Sequence, residues 1–273
     1  MLGCITLPIV AQDFMGGLLI ATLGILHGAN DIAIIQKHKI HRKTLSIVTK
    51  YSAVVLLGGI AFFYLPALAL LSFVLVSAYH FGEQHLASRY NIHRISSFVY
   101  FVYGSLVFAL LFFFHQLQVQ EVVQIISNIN ISDQFFTMLL GLAMSLFLSF
   151  WLLKPQLRKN LVYELFLFAG IIAVFSRASL IYAFGFYFVV WHSYPSLKSQ
   201  INFLYDSQLS SNPFGQYLRS SFWYWIAALL GLIAGYLWID FSAQYFLPLF
   251  FTFLAAITFP HVLVMQQMFH SKK

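Results

Sequence analysis

Nine long apolar runs separated by short polar stretches constrain this chain more than any other feature. They lie at roughly 15–35, 45–63, 66–86, 95–114, 134–153, 160–176, 179–197, 220–238 and 245–267. Most are close to the ~20 residues a helix needs to cross the bilayer core. They are too long and too continuous for barrel strands, which alternate in and out over about ten residues. Of the 273 residues, 60% are hydrophobic and only 8% charged, whereas a soluble domain carries about a quarter charged. A water-facing surface cannot be covered with so few charges, so lipid is the expected solvent. The expected fold is all-α: a polytopic transmembrane helical bundle of about nine spans, with eight as the alternative, forming one integral membrane domain over residues 1–273.

Pro66 divides a long stretch into two spans, and Pro155 and Pro213 mark loops. The segment 118–133 is amphipathic and reads as an interfacial helix or a surface loop. The start of the chain has neither a basic leader nor a small-residue cleavage site, so its first run reads as a retained span. Cys4 is the single cysteine and cannot form an intrachain disulfide. We find no internal repeat of the kind that marks duplicated transporters.

The net charge of +7 could point to nucleic acid, but its distribution does not. Lys37, Lys39, Arg42, Lys43 and Lys50 lie in or beside the first loop, and Arg89 and Arg94 in the third. Lys154, Arg158 and Lys159 fall in the fifth, Lys198 and Arg219 in the seventh, and Lys272 and Lys273 at the end. Arg177 alone falls on the other side. This asymmetry predicts a multi-pass protein of the cell (inner) membrane, with its N-terminus outside and its C-terminus cytoplasmic. The bilayer is then its partner, and nucleic acid is not.

Of the ten histidines, His38, His41, His93 and His270 neighbour basic loop residues and His115 ends the fourth span. These read as solvated or interfacial. The other five sit inside odd-numbered spans, which run in the same direction. His27 precedes Lys37 by 10 residues, His80 precedes Arg89 by 9, His192 precedes Lys198 by 6 and His261 precedes Lys272 by 11. At 1.5 Å per residue, these imidazoles share one layer about 9–17 Å from the cytoplasmic boundary. His85 lies about a turn closer to it and ranks below them. Polar groups at such depth are costly and mark function by default, and imidazole is the commonest transition-metal ligand. His27, His80, His192 and His261 are therefore the candidate metal ligands. A lone histidine would more often be an interhelical hydrogen-bonding group; four at one depth favour a metal.

Other polar residues fit around such a centre. Asp31, four residues after His27, shares its helical face and would orient an imidazole N–H or serve as a ligand. Glu83, three after His80, has the same claim or is an interfacial carboxylate near Arg89. Asn30, Gln84, Ser193 and Ser196 can satisfy the remaining polar groups. The chain has 31 phenylalanines and 15 tyrosines. Tyr79, Phe81, Phe188 and Trp191 flank the histidine layer, where aromatic walls suit a long, rigid, apolar substrate.

At His27-Gly28 with Asp31, Tyr79-His80-Phe81-Gly82-Glu83, Trp191-His192-Ser193 and Pro260-His261, the chain resembles the Brp/Blh family of beta-carotene 15,15′-dioxygenases. The resemblance implies a multi-pass enzyme that cleaves beta-carotene at its central double bond with O2, giving two all-trans retinal molecules. It also implies Fe(2+) held by histidines, and a rhodopsin-type protein as receiver of the product. Some relatives carry a second histidine four residues after that of the Trp-His-Ser block, where this chain has Ser196. His261 then completes a catalytic and metal-binding set with His27, His80 and His192; His85 or Asp31 are substitutes, and three histidines with water are an alternative. A substrate about as long as the hydrocarbon core is thick fits a metal placed away from both surfaces.

Two other classes compete. A proton- or ion-coupled transporter would use Asp31, Glu83 and the histidines as a relay, but repeats are missing and intramembrane carboxylates are few. A bis-histidine haem protein would place two histidines several turns apart on one helix, and the clustered histidine boxes of di-iron desaturases are missing.

Overall fold

The computed structural model describes residues 6–38, 44–90, 96–205, 211–238 and 246–270. Cys4, Lys39, His41, Arg42, Lys43, His93, Arg94, Lys272 and Lys273 lie outside the described residues. The described residues are helical, with no strand among them. Six helices are long and apolar enough to cross a membrane: α3 (Thr44–Tyr64), α4 (Pro66–Tyr90), α5 (Ser97–Phe114), α7 (Asp133–Leu153), α12 (Pro213–Trp238) and α13 (Phe246–His270). They coincide with six of the nine apolar runs. Large apolar side chains such as Leu56, Phe63, Leu68, Trp223 and Leu230 stand exposed on them, as a lipid-facing surface requires.

The remaining runs form shorter pieces. The run at 160–176 is α9 (Leu161–Phe175). The first run divides into α1 (Ile9–Leu19), a π-helical turn at Ile20–Gly24, a turn over residues 27–30, and α2 (Asp31–His38). The run at 179–197 divides into α10 (Leu180–Tyr187), a second π turn at Phe188–Ser193, and α11 (Tyr194–Leu204) with Pro195 in its first turn. Pro66, Pro155 and Pro213 each open a helix, where a missing N–H costs nothing; Pro155 opens the short α8 (Pro155–Arg158). The amphipathic segment is helical as α6 (Gln116–Ser127) and ends at Asn128, which takes a positive φ of 57°.

The chain forms two compact units. The first comprises Met1–Ile20, Ser77–Glu121 and Asn130–His192. Here α5 packs on α7 and α9, and α1 packs on α10. The second half of α4 meets α5 through glycine: a Cβ on Gly104 would lie 1.8 Å from the Ala78 carbonyl oxygen, and one on Gly82 1.8 Å from that of Tyr100. Only glycine permits backbones this close. Gln12 of α1 accepts from the Ser179 N–H (2.8 Å), and the Ser179 hydroxyl accepts from Tyr182 N–H (3.3 Å), so the start of α10 is capped twice. Phe147 and Trp151 of α7 stack at 4.2 Å and fill the core with Tyr103 and Phe168.

The second unit comprises Ala21–Val76, Val122–Ile129 and Ser193–Lys273. Its α13 packs on α3, α2 and α12, and α11 lies between α2 and α12. Ile34 of α2 joins Val264, Met265 and Met268 of α13 in one apolar cluster. Phe62, Ala69, Phe73 and Ala255 form another. Lys37 Nζ donates to the carbonyls of Phe203 (2.5 Å) and Leu204 (3.2 Å), placing a cation on the carbonyl end of α11.

Candidate metal centre

Four of the buried histidines pack as pairs, one pair in each unit. In the second unit the rings of His27 and His261 lie 4.8 Å apart, edge to face at 88°. In the first unit the rings of His80 and His192 also lie 4.8 Å apart, at 75°. All four side chains are buried.

Three of the four occupy irregular backbone. His27 follows the Ile20–Gly24 π turn and opens the turn that separates α1 from α2. His192 lies within the Phe188–Ser193 π turn. His261 follows Pro260, which interrupts the hydrogen-bond ladder inside α13. Such interruptions are frequent at functional sites. His80 alone stands on a regular helix, α4.

The turn at 27–30 changes one sequence expectation. His27 and Asp31 do not share a continuous helical face, because the Asp31 N–H bonds to the Gly28 carbonyl at the start of α2. The Asp31 carboxylate instead faces His261, whose Nδ1 lies 2.9 and 3.0 Å from its two oxygens. Tyr51 of α3 donates its hydroxyl to Asp31 Oδ2 at 2.7 Å. Gly28 runs alongside the His261 ring, where an added Cβ would make ordinary contact at 3.6 Å. His27 Nδ1 bonds to the Gly24 carbonyl oxygen.

These partners decide the tautomers. A carbonyl and a carboxylate oxygen only accept, so Nδ1 carries the proton in both His27 and His261. Nε2 then carries the lone pair that a metal uses. Outward hydrogen bonds from Nδ1 are the usual accompaniment of metal-bound imidazole, so this pair fits a transition-metal site by the chemistry of its donors.

In the first unit, aromatic rings pack on His192. Phe188 stacks on His192 at 5.3 Å and 14°, and Phe81 lies 4.6 Å from the same imidazole. Phe81 also stacks on Phe108, and Phe188 on Phe184. Of the other aromatic candidates, Tyr79 packs on Tyr100, and Trp191 on Tyr187 and Phe186.

The remaining candidates have different partners. Glu83 Oε1 accepts from the Tyr79 hydroxyl at 2.9 Å. His85 Nε2 lies 3.1 and 3.2 Å from the two oxygens of Glu164, and its ring stacks on Tyr103 at 4.5 Å. Tyr103 donates to the same carboxylate at 3.1 Å. Ser196 accepts from the Gln200 amide at 3.1 Å. His115 bridges the Leu111 and Ala178 carbonyls, as an inter-helix hydrogen-bonding group does.

Sequence reading missed Tyr51, Tyr217, Gln200 and Glu164. For Glu164 a signal existed, an acid inside the apolar run at 160–176. Nothing in the local pattern marks the tyrosines, which look like any other aromatic in a span.

Comparison with known proteins gives one match. The family model described as beta-carotene 15,15′-dioxygenase covers residues 18–269. No curated protein and no solved structure matches the chain. His27, His80, His192 and His261 all fall within the matched stretch, which is nearly the whole length, and the chain belongs to the beta-carotene 15,15′-dioxygenase family.

Proposed function

We propose that this protein is an iron-dependent oxygenase of the cell membrane that cleaves beta-carotene at its central double bond, with O2, into two molecules of all-trans retinal. His27, His192 and His261 would hold the metal, with His80 as the fourth donor. The chain would form one multi-pass membrane domain, with the N-terminus outside and the C-terminus cytoplasmic. The observation that carries this reading is the His27–His261 pair, whose Nδ1 atoms are both committed to oxygen acceptors.

Imidazole donors suit iron, copper and zinc alike; an oxygenation calls for a redox metal, and iron is the one proposed here. Bound iron would supply the activation of O2 that a closed-shell polyene lacks. Every other task falls to the chain. Asp31 holds His261 in one tautomer and one orientation, and the Gly24 carbonyl does the same for His27. Phe81 and Phe188 would flank the polyene near its central bond and hold it in register, with Tyr79 and Trp191 further along the wall. Burial of the four histidines keeps bulk water from the reacting carbons. The reaction balances without reductant or proton: the central carbon–carbon double bond breaks, and each carbon takes one oxygen atom from O2. A hydrophobic aldehyde released into lipid suits transfer to a rhodopsin-type protein.

The test is production of the protein in a beta-carotene-accumulating bacterium. Loss of orange colour with appearance of retinal, iron in the purified protein, and one atom of label from 18O2 in each aldehyde support the reading. Cells that stay orange while the protein is membrane-inserted and iron-loaded contradict it. The family match does not favour a proton- or ion-coupled transporter.

A further inference from the structure

The break that carries His27 has a structural cost that the rest of its unit answers. Where a helix widens and then turns, its main-chain ladder is disturbed, and side chains of neighbouring helices can support the carbonyls there. Three main-chain carbonyls beside this break, those of Ala21, Leu26 and His27, are each met by a side chain of α12. Trp225 Nε1 donates to the Ala21 oxygen at 2.8 Å. The Tyr217 hydroxyl lies 3.1 Å from the His27 oxygen and 3.3 Å from that of Leu26. Asn30, at the end of the turn, donates its amide to the Tyr217 carbonyl (3.0 Å) and accepts from the Ser220 hydroxyl (2.8 Å). These contacts bracket His27 on both sides in the chain.

The rest of α12 is unlike this. Only 6% of its apolar window is buried, yet Tyr217 is fully buried. Tyr217 also reaches back to α11: its hydroxyl lies 2.8 Å from Gln200 Oε1, and the Gln200 amide donates to Ser196 at 3.1 Å and to Met265 Sδ at 3.4 Å. Ser196, Gln200, Tyr217 and the His27 carbonyl thus form one continuous buried polar line between α11, α12 and the turn.

We propose that Tyr217, supported by Ser220 and Gln200, is a positioning residue for His27: it fixes the main chain of the 27–30 turn and thereby the direction in which the His27 imidazole presents Nε2. Ser196 serves this strut rather than the metal. The inference rests on the reading of His27 as a metal ligand. Tyr217 touches neither metal nor substrate, so its loss acts on the donor geometry and leaves the carotenoid wall alone.

The experiment titrates Co(II) into the metal-stripped, detergent-purified full chain and follows the ligand-field bands, alongside iron-reconstituted turnover. Wild type, Tyr217→Phe, Ser220→Ala and Ser221→Ala are compared. Among the described residues Ser221 bonds to carbonyls of its own helix, at 2.8 and 3.2 Å, and it serves as the control. The expected result is Co(II) affinity weakened about tenfold in Tyr217→Phe, as for other groups that orient ligands. Its bands should shift and its kcat fall, with KM for the carotenoid unchanged, and Ser221→Ala should match wild type. Ser220→Ala should weaken affinity to a smaller extent, and it decides the matter if Tyr217→Phe fails to fold. Wild-type bands and affinity in Tyr217→Phe, or in Ser220→Ala where it alone folds, would overturn the positioning role. Failure of the wild type itself to bind Co(II) would instead overturn the metal reading on which the role depends.

Discussion

The His27–His261 and His80–His192 pairs have the same 4.8 Å ring spacing and contrasting surroundings. Around the first pair, oxygen atoms do the holding: the Gly24 carbonyl, the Asp31 carboxylate and, behind it, the Tyr51 hydroxyl. At the second, aromatic rings pack on one imidazole, with Phe188 and Phe81 against His192. A hydrogen bond from Nδ1 fixes a tautomer and a lone-pair direction, whereas a stacked ring fixes a plane and offers an apolar surface. A site for an oxygenase acting on a hydrocarbon needs both. Under the proposed function, the oxygen-held pair would orient the metal and the ring-flanked His192 would face the substrate.

The largest expected effects come from the ligands themselves. His80→Ala and His192→Ala should each abolish retinal formation and lower bound iron, with membrane insertion intact; full turnover in either variant contradicts a ligand role. Next comes the polar support. Asp31→Ala should weaken iron binding by roughly 10–100-fold, read as the free iron concentration needed for half-loading. Equal loading of variant and wild type would show that His261 needs no carboxylate.

The aromatic side should respond in a different quantity. Phe188→Ala should leave iron content unchanged and raise KM for beta-carotene about tenfold, equivalent to roughly 1.4 kcal/mol of lost apolar contact. Iron loss in this variant, with KM unmoved, would contradict a substrate-contact role for Phe188. The smallest effect on the metal is expected at His85. His85→Ala should retain iron at wild-type stoichiometry. It should lower stability by about 1–3 kcal/mol in thermal or denaturant unfolding, because Glu164 loses a buried partner. Loss of iron there would restore His85 as a ligand.

Much of this was legible beforehand. Continuous apolar runs marked α3, α4, α5, α7, α12 and α13, since a helix in lipid must be long and uncharged. Pro66 marked the boundary between α3 and α4. Counting from the basic residues singled out His27, His80, His192 and His261, all of which are buried and paired within their units. The irregular backbone was not legible. Hydropathy averaged over 20 residues is blind to a π turn, so the segments at 15–35 and 179–197 read as unbroken spans. Helical periodicity then placed Asp31 beside His27, while its partner is His261, 230 residues away in sequence. Local pattern carries no information about such a contact. The same limit hid Tyr51 and Tyr217, and it hid Glu164 as a partner of His85 and Gln200 as one of Ser196.

The central claim is that buried histidines hold one iron, and X-ray absorption on the iron-loaded, purified wild-type protein tests it most directly. The account predicts one iron per chain, surrounded by three or four imidazoles. An iron with no more than two imidazoles, or two irons per chain with two each, would contradict it.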